Sequence, residues 1–244
     1  MAKSTVKKVE YNKEFLSLLN DLCSINESLI VVKDEKANTL KVQRANNAKT
    51  IAYRLGMKND VFNFDGDKIA FYKFAEFFQL LSCFDEPELH QSDSKLTMSK
   101  DKSKINYILS DPETLSKSPA NIKFENPQVE FQLTSADIKE LKKMIGLLVA
   151  KNTRFTCSKN KVDITCYNSG HDNSFTKTYD AERQEAEFSF PISSEIFTVI
   201  PDGDYTIELM EKVLPNKKVV HMCRFTLQKK DISLEIFTAQ INED

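Results

Sequence analysis

The sequence contains few of the residues on which common enzyme motifs depend, with only five glycines and three histidines in 244 residues. Because glycine is so scarce, the chain has no glycine-rich loop of the kind that cradles phosphate groups. His90, His171 and His221 lie far apart and match neither the spacing of a zinc protease nor that of a catalytic triad. We therefore expect a protein that is not an enzyme and that uses neither a cofactor nor a metal ion.

Long apolar runs and paired cysteines are missing too. No run approaches the roughly 20 apolar residues that a helix needs to cross a membrane. The first five residues, MAKST, lack the apolar core of a signal peptide, which predicts a cytoplasmic protein. The cysteines are odd in number and form no C-x-x-C pair, which argues against zinc and redox motifs. We expect buried reduced thiols at Cys23, Cys83, Cys157, Cys166 and Cys223.

An excess of positive charge is also absent. Lys and Arg number 34 against 36 Asp and Glu, which gives a formal net charge of -2 and a pI of about 6.0. Proteins that hold nucleic acid statically usually carry a basic excess. A role on DNA therefore requires that basic residues be concentrated on one surface of the protein.

Four segments carry apolar residues at the spacing of an amphipathic helix. In the third segment, Ile138, Leu141 and Ile145 mark the apolar stripe. Thr134 and Asp137 stand in the positions of a capping box that would begin this helix. The predicted helices cover about residues 12–24, 73–84, 135–151 and 193–200.

Most of the remaining sequence alternates between apolar and polar residues, as β-strands do. Val162, Ile164 and Cys166, for example, alternate with Asp163 and Thr165. Many short strands with few helices predict an α+β fold with antiparallel sheets. In each half of the chain an amphipathic helix is followed by strands, a shorter helix and more strands. This repeated order indicates an internal duplication.

A proline-containing stretch separates the two halves. Pro112, Pro119 and Pro127 stand among small polar residues, a composition typical of an extended connector. We therefore predict an N-terminal domain at residues 1–111, an interdomain connector at 112–127 and a C-terminal domain at 128–244.

The third predicted helix carries lysines opposite its apolar stripe. One interpretation is an ordinary solvated helix on which Glu140 provides the counter-charge. The other is a surface that attracts phosphates without reading sequence, through weak and salt-sensitive contacts that permit sliding along DNA. The basic residues on this helix and at its far end are Lys139, Lys142, Lys143, Lys151 and Arg154.

Several short runs resemble, in order along the chain, segments of the DNA sliding clamps of T-even-type bacteriophages. Each run is short, and the resemblance depends on their common order. It implies a PCNA-like clamp fold with two domains, each with two helices packed on curved antiparallel sheets. It also implies that three chains close head-to-tail into a ring lined by the helices. The runs are Phe15–Leu19, Phe77–Ser82, Asp137–Leu141, Lys161–Asn168 and Pro201–Tyr205.

The resemblance further implies which residues contact DNA and which bind partners. The fourth predicted helix has no Lys or Arg, so part of the ring lining would be weakly charged. The implied DNA-facing residues are Lys13, Lys73, Lys139, Lys142, Lys143, Lys151 and Arg154. A pocket for short peptide tails of partners is implied at Leu115, Ile122, Phe237 and Ile241, with plain core packing as the alternative.

The function implied by the resemblance is that of a processivity factor, which encircles duplex DNA and tethers a replicative DNA polymerase. The implied partners are double-stranded DNA bound independently of sequence, that polymerase, an ATP-dependent clamp loader and further copies of the chain in a homotrimer.

Three other interpretations of the sequence remain open. A non-catalytic, β-rich phage structural protein would share the strand content and the lack of motifs. An enzyme would need a metal ion and carboxylates brought together from distant turns, such as Asp65, Asp67, Asp202 and Asp204. A monomeric single-strand binder would need aromatic residues interleaved with basic ones on a sheet face.

Overall fold

The computed structural model describes residues 6–115, 122–214, 216–229 and 231–242. Pro119 of the predicted connector and the five N-terminal residues lie outside these ranges. The described residues form eighteen β-strands and four α-helices. The chain clusters into two compact units, one made of Met1–Asn47 with Arg54–Pro119 and the other of Ala48–Tyr53 with Ala120–Asp244.

The first half of the chain contains nine strands and two helices within its described residues. In one sheet the strand order is β5-β1-β7-β8-β9, and β4, β3, β2 and β6 are neighbours in another. The elements are β1 Lys7–Tyr11, α1 Lys13–Leu22, β2 Leu29–Asp34, β3 Thr39–Ala45, β4 Ile51–Lys58, β5 Phe62–Asn63, β6 Lys68–Phe71, α2 Phe74–Ser82, β7 Glu88–Ser92, β8 Lys95–Lys100 and β9 Ser103–Ile108.

The second half repeats this order, which confirms the predicted duplication. The strand orders are β14-β10-β16-β17-β18 and β13-β12-β11-β15, so each strand has a counterpart at the same place in the first half. The elements are β10 Val129–Leu133, α3 Ser135–Leu148, β11 Asn152–Ser158, β12 Lys161–Tyr167, β13 Ser174–Asp180, β14 Arg183–Gln184, β15 Phe188–Ser193, α4 Glu195–Val199, β16 Tyr205–Val213, β17 Val219–Lys229 and β18 Ile232–Ala239.

The helix α3 begins where the sequence predicts but ends earlier. The Thr134 hydroxyl accepts a hydrogen bond from the Asp137 N–H at 3.2 Å, and the Asp137 carboxylate accepts one from the Thr134 N–H at 2.8 Å. This completes the predicted capping box. At the other end Val149 adopts a left-handed conformation with a φ of 50°, and the helix stops at Leu148. The prediction that the helix continues to Lys151 was therefore wrong.

The other helices are also shorter than predicted, because the apolar pattern continues into the turns that flank them. The α1 helix begins after Asn12, whose side chain accepts a hydrogen bond from the Phe15 N–H at 3.1 Å. The α4 helix has only five residues and lies between Ser194 and Ile200.

Phenylalanine side chains form much of the core in both units. In the first unit, the Phe71 ring lies 5.0 Å from that of Phe74 and 4.9 Å from that of Phe77, so strand β6 and helix α2 pack closely. In the second unit, Phe155 packs against Phe190 at 5.8 Å across β11 and β15. The apolar stripe of α1 is buried in the first unit, where the Phe15 ring lies 6.1 Å from the Phe62 ring of β5, and the stripe of α3 is buried in the second unit, where the helix contacts β12 and β10.

Four of the five cysteines are buried and all five are free, as expected of reduced thiols. Burial raises the pKa of Cys23 and Cys157 to about 12. Cys83 differs from the prediction, because it caps the exposed end of α2 and is accessible to solvent. Within the described ranges, no helix has the length and apolar character that spanning a membrane requires.

Candidate nucleic-acid interface and partner surface

The exposed side of α3 carries two accessible lysines. Ile138, Leu141 and Ile145 are buried beneath the helix, while Lys139 and Lys143 are exposed one turn apart. A pair of lysines at this spacing can reach successive phosphates without a fixed geometry. The predicted basic face is therefore present on α3, but it has two exposed lysines instead of the three that the sequence indicated.

Lys142 is held by the turn that follows α4. Its Nζ lies 2.7 Å from Asp202 Oδ1 and donates a hydrogen bond to the Ile200 carbonyl at 2.8 Å. The neighbouring Asp204 accepts a hydrogen bond from the Ser135 N–H at 2.7 Å, at the start of α3. Both aspartates of this turn thus fix α3 within the second unit. Because Asp202 already pairs with Lys142, this lysine attracts phosphate less strongly than its neighbours on the helix.

The acidic residues of α3 are paired with a lysine from strand β13. Lys177 Nζ lies 2.7 Å from Asp137 Oδ1 and 2.6 Å from Glu140 Oε2. These hydrogen bonds raise the pKa of Lys177 above its ordinary value. Partial burial opposes ionisation of Asp137, but hydrogen bonds from Lys177 and Thr134 hold its pKa below the ordinary range. Glu140 therefore pairs with Lys177 and does not serve as the counter-charge of the α3 lysines.

Lys151 and Arg154 lie outside the helix. Lys151 is exposed in the loop before β11, and Arg154 lies on β11 itself. Neighbouring strand residues point to opposite faces, so Arg154 points away from the face on which Phe155 is buried. Its guanidinium donates a hydrogen bond to the Tyr167 hydroxyl at 3.1 Å. Because α3 packs on the face that carries Phe155, Arg154 does not contribute to the helical surface.

The helices of the first unit show no basic excess. Lys13 is exposed at the first position of α1, and Lys73 is exposed just before α2. Glu14, Asp21 and Glu76 are exposed on the same two helices. The acidic residues thus outnumber the predicted DNA-facing lysines here, and α4 also lacks Lys and Arg. Basic character on helices is therefore concentrated on α3.

An apolar pocket of about 440 Å³ lies on the first unit. Its apolar lining residues are Ile30 and Val32 of β2 together with Pro112 and Leu115 from the start of the predicted connector. Lys41 and Lys68 also line the pocket, and Lys41 Nζ lies 2.6 Å from Asp34 Oδ2. The predicted pocket residue Leu115 therefore lines a real cavity. The polar and apolar lining residues are Ile30, Val32, Lys41, Gln43, Lys68, Pro112, Glu113 and Leu115.

The other three predicted pocket residues lie in the second unit. Phe237 is only 3% exposed and lies on β18. Ile122 is half-buried, and Ile241 is tied to β15 by a hydrogen bond from its N–H to the Pro191 carbonyl at 3.0 Å. The Phe237 ring contacts Phe124, with ring centroids 6.0 Å apart. Phe124 could not be singled out from the sequence, because its contacts are with residues on the distant strands β17 and β18.

No arrangement of carboxylates suited to metal catalysis is found among the described residues. No group of three or more His, Cys, Asp or Glu side chains there is placed to hold a metal ion. Asp65 and Asp67 are exposed on a turn, and Asp202 and Asp204 bind α3.

Comparison with known proteins identifies the fold. No family model and no curated protein sequence matches the chain. The chain is similar to the proliferating cellular nuclear antigen (PCNA) of Entamoeba histolytica, with a TM-score of 0.69 and 14% identity over 97% of this chain and 98% of the other. It is also similar to the PCNA of A. fulgidus bound to the C-terminal region of FEN-1, with a TM-score of 0.71 and 13% identity over 98% and 100% of the two chains.

The PCNA of Thermococcus kodakaraensis gives a comparable result, with a TM-score of 0.70 and 13% identity over 97% of this chain and 100% of the other. At such low identity the likeness establishes the fold. The chain therefore has the PCNA-like sliding-clamp fold, as the fold prediction stated.

Proposed function

We propose that this protein is a DNA sliding clamp that encircles duplex DNA and tethers a replicative DNA polymerase, without performing chemistry itself. The observation that carries the proposal is the likeness to PCNA over nearly the whole of both chains. A clamp acts by topology, because it leaves DNA only when its ring opens or when it slides off an end. The tethered polymerase then remains at high effective concentration near the primer.

The ring would form by pairing of two sheet edges, one from each of two copies. Strand β9 is at the edge of its five-stranded sheet, and β13 is at the edge of its four-stranded sheet. Exposed strand edges favour pairing with another chain, and a head-to-tail contact that closes gives a ring. We propose three copies in this ring, as the resemblance to phage clamps implies.

The charges next to the two edges support an antiparallel pairing of β9 with β13. Lys104 is the second residue of β9 and Lys102 immediately precedes the strand, and both are exposed, while Asp180 is exposed at the end of β13. In an antiparallel pair, the start of one strand lies beside the end of the other. Lysines of one copy would then lie close to Asp180 of the next.

Within the ring, the helices would face the DNA. Lys139 and Lys143 provide the accessible charge on α3, and Lys13 and Lys73 add weaker attraction from the first unit. Of the other predicted DNA-facing residues, we propose this role for Lys151. Lys142 and Arg154 would contribute less, because Lys142 is paired with Asp202 and Arg154 lies on the sheet face away from α3. Contacts of this kind are few, sequence-independent and sensitive to salt, which suits sliding.

Partner proteins would dock through short apolar tails. The proposed contact sites are the pocket at Leu115 and the apolar residues Phe237, Ile122 and Ile241 of the second unit, where Phe237 is covered by Phe124 in the free protein. An apolar concavity with a few polar groups at its edge is the usual form of a peptide-binding site.

The remaining features of the proposal depend on the resemblance to T-even-type phage clamps. They are a phage origin, action in the host cytoplasm and an ATP-dependent loader as a partner. The proposed domain bounds are residues 1–111 and 128–244, joined by a connector at 112–127.

The assembly can be tested by light scattering over a concentration series. A mass near three times 28.0 kDa is expected at high concentration, falling on dilution. Lys104→Asp should lower the trimer fraction, Asp180→Lys should do the same, and the two changes together should restore it. Lys36→Asp, at an exposed position in the turn between β2 and β3, serves as a matched control for the same change of charge. A monomer at every concentration would contradict the proposal.

A further inference from the structure

A row of side chains on one face of the second unit's sheet forms a platform for an aromatic ring. Glu208, Arg224 and Phe237 are directly paired across β16, β17 and β18, so all three lie on the same face. Arg224 Nε donates a hydrogen bond to Glu208 Oε2 at 2.7 Å, and its Nη1 donates one to Glu235 Oε1 at 3.1 Å. The guanidinium is therefore fixed in orientation by two carboxylates, next to the buried ring of Phe237.

Phe124 occupies this platform. The Arg224 guanidinium carbon lies 4.8 Å from the centroid of the Phe124 ring, and the Phe237 ring is 6.0 Å from it at an interplanar angle of 56°. The site thus provides a cation for the face of an aromatic ring and a second ring for a tilted contact. Both interactions favour an aromatic side chain over an aliphatic one.

The backbone around Phe124 lies outside the helices and strands of the described residues. Residues 122–127 form no regular secondary structure, and none of them makes a backbone hydrogen bond to another described residue. The first backbone anchor is Gln128, whose N–H donates to the Leu209 carbonyl at 3.0 Å. Phe124 itself is only half-buried. Moving its ring off the platform therefore gives up the contacts with Arg224 and Phe237 and breaks no backbone hydrogen bond between residues 122–127 and the other described residues.

We propose that Phe124 is an internal stand-in for an aromatic side chain of a partner protein, and that partner binding displaces it from Arg224 and Phe237. This inference rests on the proposed function, because it takes Phe237 as part of the partner surface. Since Phe124 belongs to the same chain, it competes at high effective concentration. The apparent affinity of an external ring equals its intrinsic affinity multiplied by the fraction of molecules in which Phe124 is displaced. The platform selects partners whose tails carry Phe, Tyr or Trp.

The test uses N-acetyl-phenylalaninamide as a probe of the platform, with N-acetyl-leucinamide as the aliphatic control. Binding is measured by saturation-transfer NMR on wild type, Phe124→Ala and Phe124→Leu, with circular dichroism as a check on folding. Phe124→Ala should bind the aromatic probe at least about tenfold more tightly than wild type. In wild type the probe must displace the Phe124 ring, which makes one ring–ring and one cation–π contact on the platform, and the variant lacks this competitor. The leucine analogue should gain less.

Two further variants locate the binding. Adding Phe237→Ala or Arg224→Lys to Phe124→Ala should remove most of the gain, because lysine lacks the planar guanidinium. A gain that survives Phe237→Ala, or no gain in either Phe124 variant, would overturn the inference.

The chain contains no tryptophan, so Phe124→Trp gives a single fluorescent reporter at the platform. Acrylamide quenching of this residue should increase severalfold when the aromatic probe saturates the site. Unchanged quenching at saturation would also overturn the inference. These measurements do not involve DNA. The inference about Phe124 can therefore fail while the protein still encircles DNA, and the platform can bind the aromatic probe even if the protein does not encircle DNA.

Discussion

Replacing Lys139 and Lys143 together by glutamine tests whether α3 supplies the attraction for DNA. The two side chains are exposed, whereas Asp137 and Glu140 are paired with Lys177 and Lys142 is paired with Asp202. The double change therefore removes the accessible positive charge of the helix. Glutamine forms helices about as well as lysine, so the fold should be unaffected.

The expected effect follows from counterion release. Each phosphate neutralised by a lysine contributes about 0.9 to the slope of log affinity against log salt concentration, so the double change should lower the slope by about 1.8 for each α3 in contact with duplex DNA. Fluorescence anisotropy with a labelled duplex between low and moderate salt measures the slope. Binding should weaken equally for duplexes of different sequence.

Lys142→Gln is the matched control, because Asp202 already compensates its charge in the free protein. It should change the slope much less than the double variant. An unaltered slope in the double variant would refute the role of Lys139 and Lys143 in attracting DNA. A larger reduction in Lys142→Gln alone would refute it too.

Three further predictions concern the fold. The lowered pKa of Asp137 means that its ionised form stabilises the folded state above the ordinary carboxyl range, so the free-energy difference between wild type and Asp137→Asn should shrink as pH falls below about 4 in urea unfolding. Thr134→Ala removes the capping hydroxyl of α3 and should cost about 1 kcal/mol of unfolding free energy; no loss would contradict the cap assignment. A thiol reagent should modify Cys83 in the native protein and spare buried thiols such as Cys23, whereas rapid reaction of several thiols would contradict their burial.

The features that could be predicted from sequence are those set by local interactions. The capping box of Thr134 and Asp137 involves residues three positions apart, and it placed the start of α3 correctly. The apolar alternation of β12 likewise depends only on neighbouring positions. The end of α3 was misplaced because Val149 takes a left-handed conformation that β-branched residues rarely adopt.

The features that could not be predicted depend on residues brought together from distant parts of the chain. One of the two interpretations of α3 made Glu140 the counter-charge of the nearby lysines, but Glu140 pairs with Lys177 of β13. The role of Phe124 requires the register that aligns Arg224 with Phe237. Helical periodicity and strand alternation give no information on such register, so the fold could be predicted further than the sites.

Encirclement of DNA by the protein can be tested without a loader. Linear plasmid is incubated with the protein at high concentration, closed with ligase and separated by gel filtration at high salt, which removes electrostatic binding. We predict that the protein stays on the closed circle and is released when a restriction enzyme cuts it. Loss of the protein from the intact circle at high salt, or retention after cutting, would contradict encirclement.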